Sequence, residues 1–555
     1  MESRGGGHNR IPPGASGASE DEDQSEDLRH RISRSSSPVR PGHKGSGPQG
    51  VTLSAHTRPQ TAIEGVLSAA LLNSLSKATV YLRHIVITAY IGLTGELDAF
   101  YVAVSIVSIF IITFGEIFDS VGIPYLVRAR EQGGMESFRQ ISGSLFSMTV
   151  RMTIGLTLLM LLASPFSSVI VPGFPIASKK FINHNLYFLI PYALVYLPYH
   201  CLGSFFRSLR NYRLYYWADF LIQVTALIGI VLYHGHELAV PATLSAAYMA
   251  GFLFLVWKGR TYCRFQELRP ERETGEIRQQ IVKLAPIYMI GYALLLIDRF
   301  FASYLEPGAI SALSYGFIVA SIIPMVLNIE NVFITPLSEN SDRGVLLTHI
   351  LSGILLVSFP VMTFTLFYGK EIIAVLFQRG AFTARATELT AASLKFYILG
   401  VFPLFFWPVC YRVFQIYRKL RPVMWIGLIS VALNATLNYL FVFQAEMGVA
   451  GIALATAISG WTVSVVGLLS LRSLGIKIMF RQPARMLGNM VSGTIVAVLV
   501  CRWIPLPPDS WEGILLRGGA FVLTYVAVVF SIPNRYIREI RGMVQFPFSP
   551  SKTGR

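Results

Sequence analysis

The sequence predicts an all-α polytopic membrane protein with about 14 transmembrane helices, arranged as two parallel six-helix lobes plus two C-terminal helices. Hydrophobic residues make up 53% of the 555 residues and charged residues only 14%, against about 25% charged residues in an average soluble domain. The mean hydropathy is +0.52, so the chain has more apolar surface than soluble cores can bury. The composition therefore excludes a soluble globular enzyme.

Apolar segments begin near residue 62, and each is long enough to cross a bilayer, which takes about 20 residues. Several contain a proline, which we expect to kink the helix. In chain order the predicted segments are 62–93, 98–127, 141–171, 184–206, 214–233, 239–257, 281–305, 309–337, 345–368, 388–411, 422–443, 448–471, 486–504 and 513–532.

The parts of the chain outside the spans are predicted from composition. Residues 1–60 are rich in Gly, Ser, Pro and charge and lack the apolar stretch of a signal peptide, so we expect a disordered cytoplasmic tail. The remaining predicted regions are an N-terminal lobe (61–258), a cytoplasmic linker (259–280), a C-terminal lobe (281–472), two extra helices (473–532) and a cytoplasmic tail (533–555).

Positive charge alternates between successive loops. The net charge is +16, and clusters of Lys and Arg follow segments 2, 4, 6, 10 and 12, whereas the loops after segments 1, 5, 7 and 11 have none. Because basic loops stay on the cytoplasmic side, the alternation predicts a multi-pass protein with both termini in the cytoplasm. It also explains the basic balance without a nucleic-acid partner.

An internal repeat is visible in the sequence. Residues 95–101 and 308–314 join comparable pairs of segments, and Glu116 and Glu330 each precede a proline in the following segment. Six helices separate the copies, so both have the same orientation in the membrane. Parallel repeats of this kind are typical of transporters whose site lies between the halves. A chance match of Gly- and Ala-rich loops is the alternative.

Three cations lie within predicted spans and are candidate substrate-binding residues: Lys77, Arg83 and Arg299. A charge at bilayer depth costs about 2.5–3.5 kcal/mol on insertion scales, so such side chains usually face a watery or paired interior. Arg83 and Arg299 each come shortly before the repeated loop, which suggests one cation from each half directed at a central space. Arginine suits an anionic phosphate headgroup.

Four carboxylates in predicted segments 2, 7 and 8 are candidates for coupling or charge pairing: Asp98, Glu116, Asp298 and Glu330. They would pair with the cations when the site is empty, or bind a coupling cation, Na⁺ or H⁺. Membrane potential is a further energy source, at about 2.3 kcal/mol per charge per 100 mV. The alternative is an ion pair, such as Arg83 with Asp98 or Glu116, that only holds helices together.

The sequence has none of the features that an enzyme of this length would need. Nucleophile-elbow, zincin, P-loop and dinucleotide-binding motifs are missing from any credible context. The four cysteines are scattered without metal-ligand spacing. We therefore expect no catalytic residues, no metal site and no cofactor.

Three stretches resemble the lipid II flippases of the MurJ/MviN family, within the multidrug/oligosaccharidyl-lipid/polysaccharide exporter superfamily. They are Lys77 to Ala103 with its 98–103 motif, residues 375–383, and residues 448–456, and the resemblance runs from about 62 to 530. It implies a bacterial cytoplasmic-membrane flippase that moves a polyprenyl-pyrophosphate-linked glycan precursor by alternating access, for peptidoglycan or cell-surface polysaccharide synthesis. The implied partners are that lipid-linked glycan, membrane lipid and cell-envelope synthesis proteins.

The resemblance carries family roles over to Lys77 (usually Arg in the family), Arg83 and Asp98. The chain departs from the family pattern at 111–112 and at Ile318, where it has isoleucines in place of the usual arginines. These departures leave open a flippase for an exopolysaccharide or O-antigen-type lipid-linked oligosaccharide. A drug/cation antiporter is a further alternative, which Arg83 and Arg299 disfavour.

Overall fold

The computed structural model describes residues 62–260, 272–327, 329, 333, 337, 343–508 and 510–531. Both predicted tails, part of the predicted linker, and Glu330 lie outside the described residues. Within the described ranges the chain is helical and has no strand, as the sequence predicts. The predicted domain boundaries remain predictions.

Seventeen α-helices are defined among the described residues. They are α1 Ala62–Ile91, α2 Gly95–Val107, α3 Thr113–Ala163, α4 Ser167–Ile170, α5 Ile176–Phe188, α6 Ile190–Ser208, α7 Tyr212–Tyr233, α8 Ala239–Gly259, α9 Arg272–Ala302, α10 Ala309–Leu327, α11 Arg343–Phe377, α12 Ala384–Tyr397, α13 Val401–Ile416, α14 Arg421–Tyr439, α15 Gly448–Arg472, α16 Arg481–Arg502 and α17 Trp511–Ser531. We call α1–α8 the first half and α9–α17 the second half.

The described residues contain ten helices that are long and apolar enough to cross a membrane, or eleven if the bent pair α5–α6 is one span. One of the ten, Gly95–Ile170, is a continuous run that covers two predicted segments. It bends at Gly134, whose φ of 66° interrupts the helix and lets the chain reverse. With α1 and the shorter α16, every one of the fourteen predicted segments falls on helix.

The fourth predicted segment, 184–206, contains a bend. Helices α5 and α6 meet within it at 45°, in agreement with the kink expected at a proline. The cause is Pro191 in the first turn of α6, because a proline ring is accommodated at a helix start but not inside a straight helix.

Each half packs mainly against itself. In the first half α3 packs on α6, α1 on α7, and α8 on both α6 and α7; in the second half α10 packs on α12, and α15 on α12, α13 and α14. Helix α9 contacts both halves, through α3 and α2 on one face and α14 on another. The extra helices α16 and α17 pack on each other and on α11. Helix α9 therefore lies at the boundary between the two halves.

The two halves touch closely where α1 ends. The amide N–H of Ala381 donates to the carbonyl of Ala89 at 2.8 Å, and a Cβ added to Gly380 would lie 2.2 Å from that same carbonyl oxygen. A Cβ on Gly308 would lie 2.8 Å from the carbonyl oxygen of Leu93. We call this side, which holds the turns 92–94, 303–308 and 378–383, the Gly92 side. The opposite side holds the basic turns, among them 209–211 and 417–420, and we call it the arginine-rich side.

Gly380→Ala is expected to loosen the Gly92 side, and Gly475→Ala is the matched control. Both glycines have positive φ, 57° and 77°, but a Cβ on Gly475 meets nothing within 4 Å. Both variants should lose about 1–2 kcal/mol from the left-handed backbone, and Gly380→Ala should lose about 1–3 kcal/mol more from overpacking. Thermal unfolding in detergent measures the difference; equal midpoints would contradict the close contact.

Candidate functional site

Asp98 fastens the two halves together on the Gly92 side. It lies in the first turn of α2 and its side chain is 1% exposed. Its Oδ2 accepts the N–H of Gly308 at 2.7 Å, and its Oδ1 accepts both the N–H and the hydroxyl of Ser311, at 2.7 and 2.6 Å. These donors begin α10, where the N–H groups lack helical partners and favour a negative charge. One carboxylate thus caps a helix of the other half.

A cavity of about 730 Å³ lies next to this contact. Tyr101 and Glu116 are its lining residues from the first half; the others come from the second half, on α9, α10 and residues 397–463. Its charged lining residues among the described part of the chain are Glu116, Asp298 and Arg299. The volume is within the range of small-molecule sites, and the wall carries two carboxylates and one guanidinium.

Arg299 lies at the cavity wall, and no carboxylate of the described residues is within ion-pair distance of it. It is 5% exposed, and its Nη1 and Nη2 donate to the carbonyl of Ile310 at 3.1 Å and to Ser314 Oγ at 2.8 Å. Its guanidinium carbon lies 6.0 Å from the ring centre of Tyr101. Among the described residues its Nε has no hydrogen-bond partner. A buried cation arranged in this way can attract an anion in the cavity.

Asp298 is held on an oxygen-rich patch between α9, α14 and α15. Asn438 Nδ2 donates to its Oδ1 and Thr456 Oγ1 donates to its Oδ2, both at 2.9 Å. Asn438 Nδ2 also donates to Asn434 Oδ1 at 3.0 Å. Asp298 is 6% exposed, yet it lines the cavity together with Asn434 and Thr456. Both neighbours thus donate to the carboxylate, while Asn438 Oδ1 has no hydrogen-bond partner among the described residues; carboxylate and amide oxygens are the ligands that hard cations prefer.

Glu116 bridges the halves on another wall of the cavity. Its Oε1 accepts the hydroxyl of Tyr292 at 2.8 Å, so α3 of the first half contacts α9 of the second. No Lys or Arg lies within ion-pair distance of Glu116 among the described residues. Its carboxylate is therefore available to the cavity.

The other two predicted cations do not line this cavity. Arg83 Nη1 donates to Gln223 Oε1 at 2.9 Å, and Arg83 lines a separate void of about 30 Å³ in the first half. Lys77 Nζ donates to the carbonyl of Met325 at 2.7 Å, which ties α1 to the end of α10. The structure thus places Arg299 in the large cavity without Arg83 or Lys77.

The ion pairs offered as an alternative are not formed in the described residues. Neither Asp98 nor Glu116 lies within ion-pair distance of Arg83. Asp98 has backbone and hydroxyl donors instead. Glu330, the remaining candidate, lies outside the described residues.

Sequence reasoning missed the uncharged residues of the site. Tyr101, Tyr292 and Trp407 all line the cavity, and none of them is among the predicted site residues. Neither are Asn434 and Asn438, which lie beside Asp298. Their spacing of four residues in an apolar segment was a usable signal, because it puts two amides on one helix face.

Comparisons with known proteins agree with this architecture. A family model described as lipid II flippase MurJ matches residues 87–507. A probable lipid II flippase MurJ from Aquifex aeolicus is 26% identical over 412 residues, 70% of this chain and 80% of the relative. One from Rhizobium meliloti is 25% identical over 522 residues, 86% of this chain and 95% of the relative.

Solved structures share the fold. A structure titled lipid II flippase MurJ, inward closed conformation, has a TM-score of 0.69 at 16% identity and covers 86% of this chain and all (100%) of its own. A multidrug resistance MATE family transporter in an inward-facing conformation has a TM-score of 0.54 at 13% identity, over 75% of this chain and 98% of its own. At these identities the likeness concerns the fold.

Asp98→Ala is expected to weaken the closed Gly92 side, because Gly308 and Ser311 lose their acceptor. Each hydrogen bond to a charged group contributes about 1.5–3 kcal/mol. Glu96→Ala is the control, since Glu96 is exposed in the same helix turn. A cysteine replacing Ser314 would report opening through its labelling rate with a membrane-impermeant maleimide. The rate should rise at least tenfold in Asp98→Ala; an unchanged rate would show that Asp98 does not close this side.

Proposed function

The chain belongs to the MurJ family of lipid II flippases, and we propose that it carries the polyprenyl-pyrophosphate-linked precursor through its central cavity by alternating access. The observation that carries this proposal is the cavity of about 730 Å³ between the halves, with a buried guanidinium on its wall and a closed contact at one end. The chain is a membrane flippase for a lipid-linked precursor of peptidoglycan synthesis, and its substrate is a lipid-linked glycan.

Arg299 is the proposed contact of the pyrophosphate. Its Nε has no hydrogen-bond partner among the described residues. The side chain also remains protonated when it is desolvated, because the pKa of a guanidinium lies far above physiological pH. Lys77 and Arg83 would bind the same headgroup from the first half when the halves rearrange. The Arg83 bond to Gln223 is to a neutral acceptor, which an anion can replace at low electrostatic cost.

The described state is proposed to face the cytoplasm. The basic turns lie opposite the Asp98 contact, and basic loops stay on the cytoplasmic side of bacterial membranes. Asp98 would then close the outer face, with both termini in the cytoplasm. Release of the cargo outside would require Asp98 to leave the start of α10 and the halves to close on the arginine-rich side.

The excess of negative side chains on the cavity wall supports coupling of transport to a cation. Glu116 and Asp298 together exceed the single charge of Arg299, so an empty wall repels a pyrophosphate. A cation bound at Asp298, with oxygens of Asn434, Asn438 and Thr456 nearby, would remove that repulsion. We propose Na⁺ or H⁺ as this coupling cation, with Asp298 as its main ligand.

A second cargo is favoured by one observation. Ile318, where the family usually has an arginine, lines the cavity. With fewer cations on the wall, a lipid-linked oligosaccharide of another surface polysaccharide is the alternative substrate. Flipping of both lipids in proteoliposomes distinguishes the two.

Arg299→Gln tests the proposed anion site. The variant should lose about tenfold to a hundredfold in the rate of lipid II translocation in proteoliposomes, the equivalent of one charge-assisted hydrogen bond. Arg517→Gln is the matched control: Arg517 is also buried, at 7% exposure, but it donates to the carbonyls of Ile504 and Leu506 away from the cavity. Arg517→Gln should lower thermal stability and keep the rate per folded molecule. A normal rate in Arg299→Gln would defeat the proposal.

Asp298→Asn tests the coupling site. Without the carboxylate, translocation should no longer depend on an imposed Na⁺ or pH gradient, because the cation loses its charged ligand. Glu116→Gln is the comparison, since it removes the other cavity carboxylate and should keep the gradient dependence. If Asp298→Asn still responds to the gradient and Glu116→Gln does not, Glu116 is the coupling residue instead.

A further inference from the structure

The cavity wall changes character along α9. Arg299 lies in the last turn of this helix, whereas Tyr288 lies eleven residues earlier, about 16 Å toward the arginine-rich side at 1.5 Å per residue. Both line the same cavity. Toward Tyr288 the wall includes aromatic and aliphatic side chains, and no Lys or Arg other than Arg299 lines the cavity among the described residues.

Three aromatic rings form this far wall: Tyr288, Trp407 and Tyr411. Trp407 and Tyr411 are four residues apart on α13 and so share a helix face. The rings of Tyr288 and Tyr411 meet edge to face, with centres 6.3 Å apart and planes at 84°. Edge-to-face contact is a stable arrangement of aromatic rings, so the two tyrosines fix each other's orientation.

Trp407 is fixed from behind by α15. A Cβ added to Gly467 would lie 2.9 Å from Cζ3 of Trp407, so the indole lies directly against the bare backbone of that helix. Only glycine leaves room for the ring at this point. The ring is therefore held in place while it lines the cavity.

Hydrogen-bonding groups also line the cavity. Ser459 is 2% exposed and lines the cavity, and among the described residues its hydroxyl has no hydrogen-bond partner. Pro408 lies inside α13 and has no N–H to donate to the carbonyl of Leu404; both residues line the cavity. A buried donor or acceptor without a partner costs free energy, which a hydroxyl-rich ligand would recover.

We propose that Tyr288, Trp407 and Tyr411 form the glycan-binding surface of the cavity, on which the sugar rings stack while the pyrophosphate binds at Arg299. The inference rests on the proposed function and assigns the two chemical parts of one substrate to two ends of one cavity. Sugar rings have apolar C–H faces that stack on aromatic rings, and hydroxyl groups that bond to serine and backbone oxygens. A neutral, aromatic wall suits them and does not suit a diphosphate, which needs cations.

Binding of two lipids to the purified full chain in nanodiscs tests the assignment. The probes are undecaprenyl diphosphate and the same lipid carrying a disaccharide, and the readout is the ratio of their Kd values. The wild-type protein should prefer the glycan-bearing lipid. Trp407→Leu should raise the Kd of the glycan-bearing lipid by about fivefold to tenfold, in line with the loss of one aromatic contact. The Kd of bare undecaprenyl diphosphate should stay unchanged. Trp407→Phe should restore most of the preference.

Control variants separate the glycan surface from folding and from the anion site. Trp425→Ala removes a tryptophan of the same half that is 61% exposed and is absent from the cavity wall, so both Kd values should stay unchanged. Arg299→Gln should raise the Kd values of both lipids by the same factor. Gly291 lines the cavity and a Cβ there meets nothing within 4 Å, so Gly291→Phe should fill the space and exclude the glycan, whereas Gly291→Ala should not.

The outcomes distinguish the two proposals. If the wild-type protein binds neither lipid, the proposed function fails. If it binds both lipids equally, or if Trp407→Leu and Gly291→Phe weaken both lipids by the same factor, the function stands and the glycan-binding surface is overturned.

Discussion

The arrangement of the halves depends on one buried carboxylate. Taking Asp98 out of water is costly unless donors replace the water, and the three donors that do so all belong to the start of α10. The contact is therefore stable only while the Gly92 side is dry and both halves are in place. Once water enters, hydration of Asp98 replaces the lost bonds. A strong contact when closed is thus compatible with a low cost of opening.

The glycines of the same side give this contact its geometry. Backbone approaches such as that of Gly380 to Ala89 leave no room for a side chain, so the halves meet main chain to main chain. On the arginine-rich side the halves instead meet through long side chains, such as Lys77 on Met325 and Tyr292 on Glu116. Long side chains can change rotamer without moving a helix. The halves thus contact each other through different groups at the two ends of the molecule.

Hydropathy and charge alternation predicted the helices because bilayer thickness and loop charge act on each segment separately. The predicted repeat includes the 308–314 turn, yet it did not reveal that Asp98 binds this turn. Cavity membership was less predictable: Arg83 and Arg299 occupy comparable sequence positions, but only Arg299 lines the large cavity. Successive helix residues differ by about 100° in direction, so the facing of each side chain depends on helix packing, which a single sequence does not specify. Aromatic residues were ambiguous for the same reason.

Most residues that line the cavity come from the second half, and this has an energetic consequence. All lining residues except Tyr101 and Glu116 come from the second half. A substrate bound in the cavity would therefore keep most of its contacts when the two halves move relative to each other. A ligand with equal affinity for two conformations does not shift the equilibrium between them. Binding of the substrate alone would then not set the direction of net transport. The free energy for export would come from an ion gradient or a membrane potential that acts differently on the two conformations.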